Sequence, residues 1–356
     1  MTVRTAMNSL RVLTLLLTTG SLLPLGPSLA LAQVGEVSEQ CRAFRADLDA
    51  DVGELMRAGC EPTLEQMSRL MDNPLGNVAM WWNQFDWYRM RNDEETGIRK
   101  NQTNYMGIFQ FPKRLNDDWN LINRVVYNVP SIPLDQDKID DFGFPPTFEP
   151  PGGGGPSQPP SDGTFLPVKQ FSGRTTGFGD MYYVGLFSPA EPIRHESGAK
   201  SVWGLGADLS APTASEDILG TGKWSAGPSA IYVYLGEKWK VGGLYQHYTS
   251  FAGSSSRDRV NLTNFQYFYF YSLTDTISIG AAPNIISNWE ADRTGDRYTV
   301  PVGLGVARTF QFGKLPVRIG TEFHYNVVRP DTVGGDWTIR FYMIPAMPSA
   351  LFKWMQ

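Results

Sequence analysis

Cysteine, histidine and long apolar runs are all scarce in this chain. It has 2 cysteines and 3 histidines in 356 residues. His195, His247 and His324 fall into no metal-binding spacing such as H-E-x-x-H, so no metal centre is indicated. Gly152 to Gly155 are flanked by prolines rather than by a strand and a helix, so no phosphate loop or cofactor is indicated either. Beyond Gln33 no uninterrupted apolar stretch reaches the ~20 residues that a membrane helix needs. The formal net charge is −5. Without a basic patch such a chain is a poor partner for nucleic acid. Its length suits one large barrel or two soluble domains, and does not choose between them.

Residues 1–32 read as a secretory signal peptide. Arg4 and Arg11 form a basic start, Val12 to Leu25 an apolar middle, and Ala30-Leu31-Ala32 a small-residue cleavage site before Gln33. No cysteine follows that site, so a lipoprotein is not indicated. Removal of this segment takes away two arginines and no acids, which moves the charge from −5 to −5 − 2 = −7. Export brings Cys41 and Cys60 into an oxidising compartment where a disulfide is permitted. A straight helix would hold them ~28 Å apart, far beyond bridging distance. A bridge requires the chain to fold back, near Asp51-Val52-Gly53, and both the bridged and the free forms stay open.

Residues 33–72 are helical in character and suggest a small periplasmic helical pair. Val37 to Ala58 mixes Leu, Phe and charges without proline. Thr63 and Gln66 then have the spacing of a capping box, with Thr63 as the N-cap. Asp47, Asp49 and Asp51 only faintly suggest a calcium loop, because Val52 occupies the turn-glycine position and Ala58 the final carboxylate position. They read as a solvated acidic face.

From 73 to 346 the chain becomes a succession of short alternating segments rich in aromatics. In 315–328, Val317, Ile319, Phe323, Tyr325 and Val327 share one face, while Arg318, Glu322, His324 and Asn326 share the other. No helices intervene to cover the apolar face, so that face needs a solvent other than water. The pattern predicts an all-β fold, an antiparallel transmembrane β-barrel. Twelve strands are expected, at 79–89, 103–112, 118–129, 178–188, 200–211, 223–236, 238–250, 260–273, 275–288, 297–311, 315–328 and 336–346. Short and long connections alternate between them except at 189–199, where a short turn is expected and eleven residues stand. Outer-membrane barrels have short periplasmic turns and long outer loops, so both termini belong in the periplasm. The longest loop, 130–177, is Pro/Gly-rich and extracellular on this parity, either a surface loop or a partial plug. Trp224, Trp289, Tyr298 and Trp337 would form an outer aromatic girdle, and Trp239 would join an inner one. Residues 347–356 form a C-terminal tail.

Strand parity then sorts the chemistry. Arg318, Glu322, His324, Asn326 and Arg340 face the lumen, as do Asn284, Asn288, Asp208 and Asp180, the last on the same face as Tyr182. Val300, Val302, Leu304, Val306, Ile339, Phe341 and Met343 face lipid. The segment 260–273 is aromatic on both faces and has no assignable register. Lumen charges of both signs suit either a salt-bridged filling or a selective constriction. Twelve strands lie between the side-chain-filled eight and the aqueous sixteen, so an open pore would be narrow.

Asn73-Pro74-Leu75-Gly76-Asn77 and Asp118-Trp119-Asn120-Leu121-Ile122-Asn123-Arg124 resemble the start of a family of bacterial outer-membrane transporters linked to the meta-pathway of phenol degradation, some labelled neuromedin-U-like. Further similarity lies in Gly177-Phe178-Gly179-Asp180, Gly222-Lys223-Trp224-Ser225-Ala226-Gly227-Pro228, Ser250-Phe251-Ala252-Gly253, Ser287-Asn288-Trp289-Glu290-Ala291 and Tyr325-Asn326-Val327-Val328-Arg329-Pro330 with Asp336-Trp337. The resemblance covers about three quarters of the chain and implies an outer-membrane barrel with a transport role. Small hydrophobic or aromatic cargo follows only from it. The chain departs from the barrel pattern after its last strand, which leaves Phe341 or Phe352 to supply the signal for the outer-membrane assembly machinery. Outer-membrane lipid is the other expected partner. A structural barrel with a filled lumen is the alternative to a channel. A lipid hydrolase using His247 with Ser250 or Ser254 to Ser256 is the third reading, and a non-enzyme is expected.

Overall fold

A computed structural model describes residues 39–47, 55, 58–71, 73, 75–76, 78–91, 99–135, 173–313, 315–331 and 334–347. The expected signal peptide, the centre of loop 130–177, the fold-back at 51–53 and the tail with Phe352 lie outside the described residues. Among the described residues, two helices precede the strands, α1 (Glu39–Ala46) and α2 (Leu64–Met71), and Leu55 between them is also helical. The strands are β1 (Ala79–Arg91), β2 (Arg99–Arg114), β3 (Trp119–Ile132), β4 (Met181–Pro189), β5 (Lys200–Ala211) and β6 (Lys223–Leu235). They continue as β7 (Trp239–Gly253), β8 (Asn261–Ser272), β9 in two pieces (Ile277–Ala281 and Asn284–Asn288), β10 (Tyr298–Phe312), β11 (Leu315–Val328) and β12 (Gly334–Met347).

Each strand pairs antiparallel with its sequence neighbours, and β12 pairs back onto β1, for example Asp86 opposite Arg340. β8 pairs with β7 on one side and with both pieces of β9 on the other, so no edge is left open. The result is a closed antiparallel barrel of twelve strands, which removes the unpaired N–H and C=O groups that hydrocarbon cannot satisfy. Outward positions are apolar and exposed to the surroundings, as in Leu304, Ile319, Phe323, Phe341 and Met343. Inward positions on the same strands are buried, as in Thr309, Arg318, Glu322, Arg340 and Tyr342. At the ends, Trp289 meets Tyr298 edge-on at 6.3 Å and Trp239 meets Tyr271 at 4.9 Å.

Several boundaries differ from the sequence expectation for physical reasons. The eleven-residue connection 189–199 is a hairpin extension, because Ile193–Arg194 pairs with Lys200 and Ser201. Phe178 to Asp180 lie before β4 rather than in it. β9 is broken at Ala282-Pro283, where proline can supply no ladder donor. Gly280, at φ 152°, leads into the break, and a Cβ there would lie 1.9 Å from the Tyr269 carbonyl oxygen. The break leaves carbonyls of β10 without β9 partners. The Tyr267 hydroxyl donates to the Pro301 carbonyl at 2.7 Å, and the Tyr269 hydroxyl to that of Gly303. Gly313, at φ 61°, makes the tight turn between β10 and β11.

The N-terminal helices are held by the predicted capping box. Thr63 N donates to Gln66 Oε1 at 2.8 Å and Gln66 N donates to Thr63 Oγ1 at 3.2 Å. The same Gln66 donates its side-chain amide to the Phe44 and Asp47 carbonyls at 2.6 and 2.7 Å. That closes the C-terminal end of α1 at Ala46. Cys41 and Cys60 form a disulfide with their Cα atoms 5.4 Å apart.

Candidate functional site

The barrel interior is the candidate site, and its two ends are occupied. α2 lies in the mouth ringed by the short turns. Its Met67 and Met71 pack against inward-facing Met80, Tyr342, Ile344 and Ala346. Thr309 Oγ1 donates to Ser68 Oγ at 2.9 Å, and Arg69 reaches the Glu237 carbonyl of the β6–β7 turn at 3.2 Å. α2 therefore touches both β10 and the β6–β7 turn, and Leu75 just after it packs onto Ile122, Val184 and Ile231. At the opposite end the 212–222 connection turns inward. Its Ile218 and Leu219 are fully buried against Tyr88, Met90, Ile132 and Leu134.

Asp180 organises that connection and does not line the open lumen, which corrects its expected role. One carboxylate oxygen accepts from Thr213 N at 3.0 Å and Ala214 N at 3.2 Å, the other from Thr221 N at 2.7 Å and Thr221 Oγ1 at 2.8 Å. Burial pushes its carboxyl above the usual range, and these donors pull the other way without reversing it. Arg257 braces the same connection through the carbonyls of Asp217, at 2.8 Å, and Gly220.

Between these closures lies a cavity with about 970 Å³ of space not filled by atoms, the open solvent at its margins included. Its wall is divided. One arc is apolar, built from Val126, Val184, Ile231, Leu244 and Phe268. The other is a hydrogen-bonded belt of charges and amides. Arg340 donates to both oxygens of Asp86, at 3.0 and 3.3 Å, and to the Ala282 carbonyl at 3.0 Å. Glu322 takes the Ala282 N–H at 3.1 Å and lies 2.8 Å from His324 Nε2. The strand break thus turns the Ala282 backbone into a ligand for both an acid and a base. The belt continues as Asn284 Nδ2 donates to Asn264 at 2.9 Å, Asn264 Nδ2 to Gln246 at 3.2 Å, and Gln246 Nε2 to Asp208 at 3.3 Å. Lower down, Arg318 donates to Thr309 at 3.2 Å and to Ser278.

Of the residues assigned to the lumen, Asp208, Asn284, Arg318, Glu322, His324 and Arg340 therefore lie in one continuous interior. Asn288 is buried where β9 ends, its side chain accepting the Glu290 N–H at 2.9 Å. Asn326 is half-buried and donates to the Gly335 carbonyl at 2.6 Å. Sequence reasoning missed Asp86, Gln84, Gln246, Arg124 and the whole apolar arc. The proposed serine–histidine pairing at the rim does not form. His247 instead contacts Thr263 at 3.0 Å and Thr249 at 3.3 Å, while Ser250 Oγ accepts the Val260 N–H at 3.0 Å. A different contact, His195 Nε2 to Ser201 Oγ at 2.7 Å, sits at the β4–β5 hairpin with Tyr232 as its third member. Among the described residues no group of three or more His, Cys, Asp or Glu could hold a metal ion.

The family described as "Putative MetA-pathway of phenol degradation" matches residues 138–336. No curated protein matches the chain. Among solved structures, an outer membrane channel from Pseudomonas putida F1 is similar over 77% of this chain and 97% of its own, at TM-score 0.51 and 15% identity. That likeness establishes the barrel fold alone. Outer membrane phospholipase A from Escherichia coli covers 75% of this chain and 90% of its own, at TM-score 0.39 and 9% identity. A Pseudomonas aeruginosa FadL homologue covers 76% and 90%, at TM-score 0.34 and 10% identity.

Proposed function

We propose that this chain, which belongs to the family described as "Putative MetA-pathway of phenol degradation", is a narrow outer-membrane channel for small hydrophobic or aromatic molecules. The observation that carries this reading is the divided wall. A porin for hydrophilic solutes gains nothing from an arc of Val126, Val184, Ile231, Leu244 and Phe268 facing its lumen. An aromatic solute gains ~25 cal/mol for each Å² of apolar surface it buries there. The belt opposite supplies polar groups that orient it, as in ligand sites generally. The family's link to phenol degradation and the channel described for the Pseudomonas putida neighbour point the same way. On this reading the short-turn end with α2 faces the periplasm and the 212–222 end faces outward. The long outer loops and short inner turns of such barrels support that orientation.

A filled structural barrel is the second reading, and the packing of α2 and Ile218-Leu219 into the two mouths favours it. Planar-bilayer conductance separates the two. The channel reading expects small ion-conducting openings that are blocked by added phenol and not by a sugar of similar size. A silent barrel, or one blocked equally by both, would remove the proposed selectivity. A lipid-hydrolysis assay on the same preparation tests the enzymatic alternative, and the channel reading expects no turnover.

A further inference from the structure

Arg340 and Arg318 are hydrogen-bonded to their neighbours, whereas Arg124 meets the charge of Asp208 without a hydrogen bond to it. Arg124 sits on β3, only 8% exposed, and lines the central cavity where the apolar arc begins. Arg340 binds both oxygens of Asp86, whereas the Nε of Arg124 has no hydrogen-bond partner among the described residues. Its register partner on β2, Gln110, also leaves a buried side-chain nitrogen without a partner. On the other side Arg124 pairs with Val184 of β4, and Val184 pairs with Asp208 of β5. Arg124 and Asp208 are therefore two strand spacings apart, roughly 10 Å between backbones, with Val184 between them. Gln246 occupies one Asp208 oxygen, and Ser229 and the Arg124 charge stand beside the carboxylate. A buried guanidinium with unused donors is costly unless something fills the space beside it.

We propose that Arg124 is the anion-binding residue of the lumen, and that the preferred solute is a small amphipathic monocarboxylate. Its carboxylate takes the guanidinium N–H donors, and its ring or chain lies on Val126, Val184 and Leu244. The inference rests on the channel reading above and narrows its solute class. Asp208, in the same row, and Glu322, on the opposite wall, disfavour a second negative charge. A hydrated inorganic anion gains nothing from the apolar arc. A neutral aromatic keeps the arc and forgoes the ion pair and the paired, two-oxygen recognition that a carboxylate gives a guanidinium.

The test is calorimetric binding of benzoate, benzamide and acetate to the full-length folded barrel, with heat-modifiable gel migration as the check of assembly. Benzoate is expected to bind at least about tenfold tighter than benzamide, because only it forms an ion pair and a two-oxygen fork with the guanidinium, and acetate should bind more weakly than benzoate. Arg124→Gln should bring the benzoate-to-benzamide ratio close to one, and Arg124→Lys should keep part of the preference. If Arg124→Gln does not assemble, the wild-type ratio and its reduction in Arg124→Lys decide the matter. A ratio near one in the wild type, or a preference that survives Arg124→Gln, overturns the anion site while leaving a hydrophobic channel intact. Failure of both aromatic compounds to bind overturns the anion site and the channel reading together.

Discussion

Asp86→Ala attacks the best-connected carboxylate of the lumen, and its cost can be worked from the geometry. Asp86 is fully buried and accepts four hydrogen bonds. Two come from Arg340, one from Gln84 at 2.8 Å and one from the Tyr88 hydroxyl at 2.8 Å. Removing one partner of a buried ion pair costs ~3–5 kcal/mol in a dry interior. Here the loss is moderated, because Arg340 keeps the Ala282 carbonyl and has Glu322 at 3.8 Å. The orphaned Tyr88 hydroxyl and Gln84 amide add ~1–3 kcal/mol each where water does not reach them. We expect a net destabilisation of ~3 kcal/mol, read as a shift in the urea midpoint followed by tryptophan fluorescence in detergent. Glu322→Ala should cost less, since Arg340 then retains both Asp86 oxygens. Asp86→Leu combined with Arg340→Met should recover much of the loss, because deleting both charges leaves fewer orphans. A change below ~0.5 kcal/mol for Asp86→Ala, against the several kcal/mol expected of a broken buried pair, would refute the claim that this network stabilises the barrel.

Ile319→Arg places a charge on the outward face and should cost ~2–4 kcal/mol near the membrane midplane. The expected sign is loss of the heat-modifiable band, while Glu322→Gln on the inward face still assembles. Deletion of residues 33–72 removes α2 from its mouth and should raise single-channel conductance, and an unchanged conductance would mean that α2 does not limit passage. Cys60→Ser should loosen the N-terminal segment by ~3 kcal/mol in the loop-closure account, seen as faster proteolysis between α1 and α2 with the barrel itself intact. Epitope tags at Ser255 and Gly313 should label on intact cells only at the first site, and the reverse would invert the orientation.

The fold was legible because lipid imposes a strict face. In β11, Ile319, Phe323 and Tyr325 alternate with Arg318, Glu322 and His324, and the structure places them outward and inward accordingly. Where both faces are apolar, alternation carries no sign. Leu186 and Ile231 face inward and Phe187 and Tyr232 face outward, yet each pair reads as uniformly hydrophobic. The apolar arc was therefore invisible, and the lumen looked wholly polar. β8 resisted assignment for the same reason. Its outward Tyr267 and Tyr269 hold backbone carbonyls across the break in β9, a task that only the three-dimensional pairing reveals. Two signals were present and overlooked. Pro283 inside an expected strand marks a break. In β1, Gln84, Asp86 and Tyr88 alternate with Phe85 and Trp87, which places a carboxylate inward. Asp180 shares parity with Tyr182, which predicts a lumen residue, yet its oxygens are consumed by Thr213, Ala214 and Thr221.

On the proposed function, the divided cavity receives a small aromatic solute. Diffraction from crystals of the full chain soaked in 4-bromophenol, with bromine located by its anomalous signal, tests it most directly. A bromine position is expected inside the barrel between Met71 and Arg124, against Val184 and Leu244, and should be lost when Leu244→Arg fills the arc with charge. Bromine found only on the outward face, among the membrane-facing side chains, would contradict it.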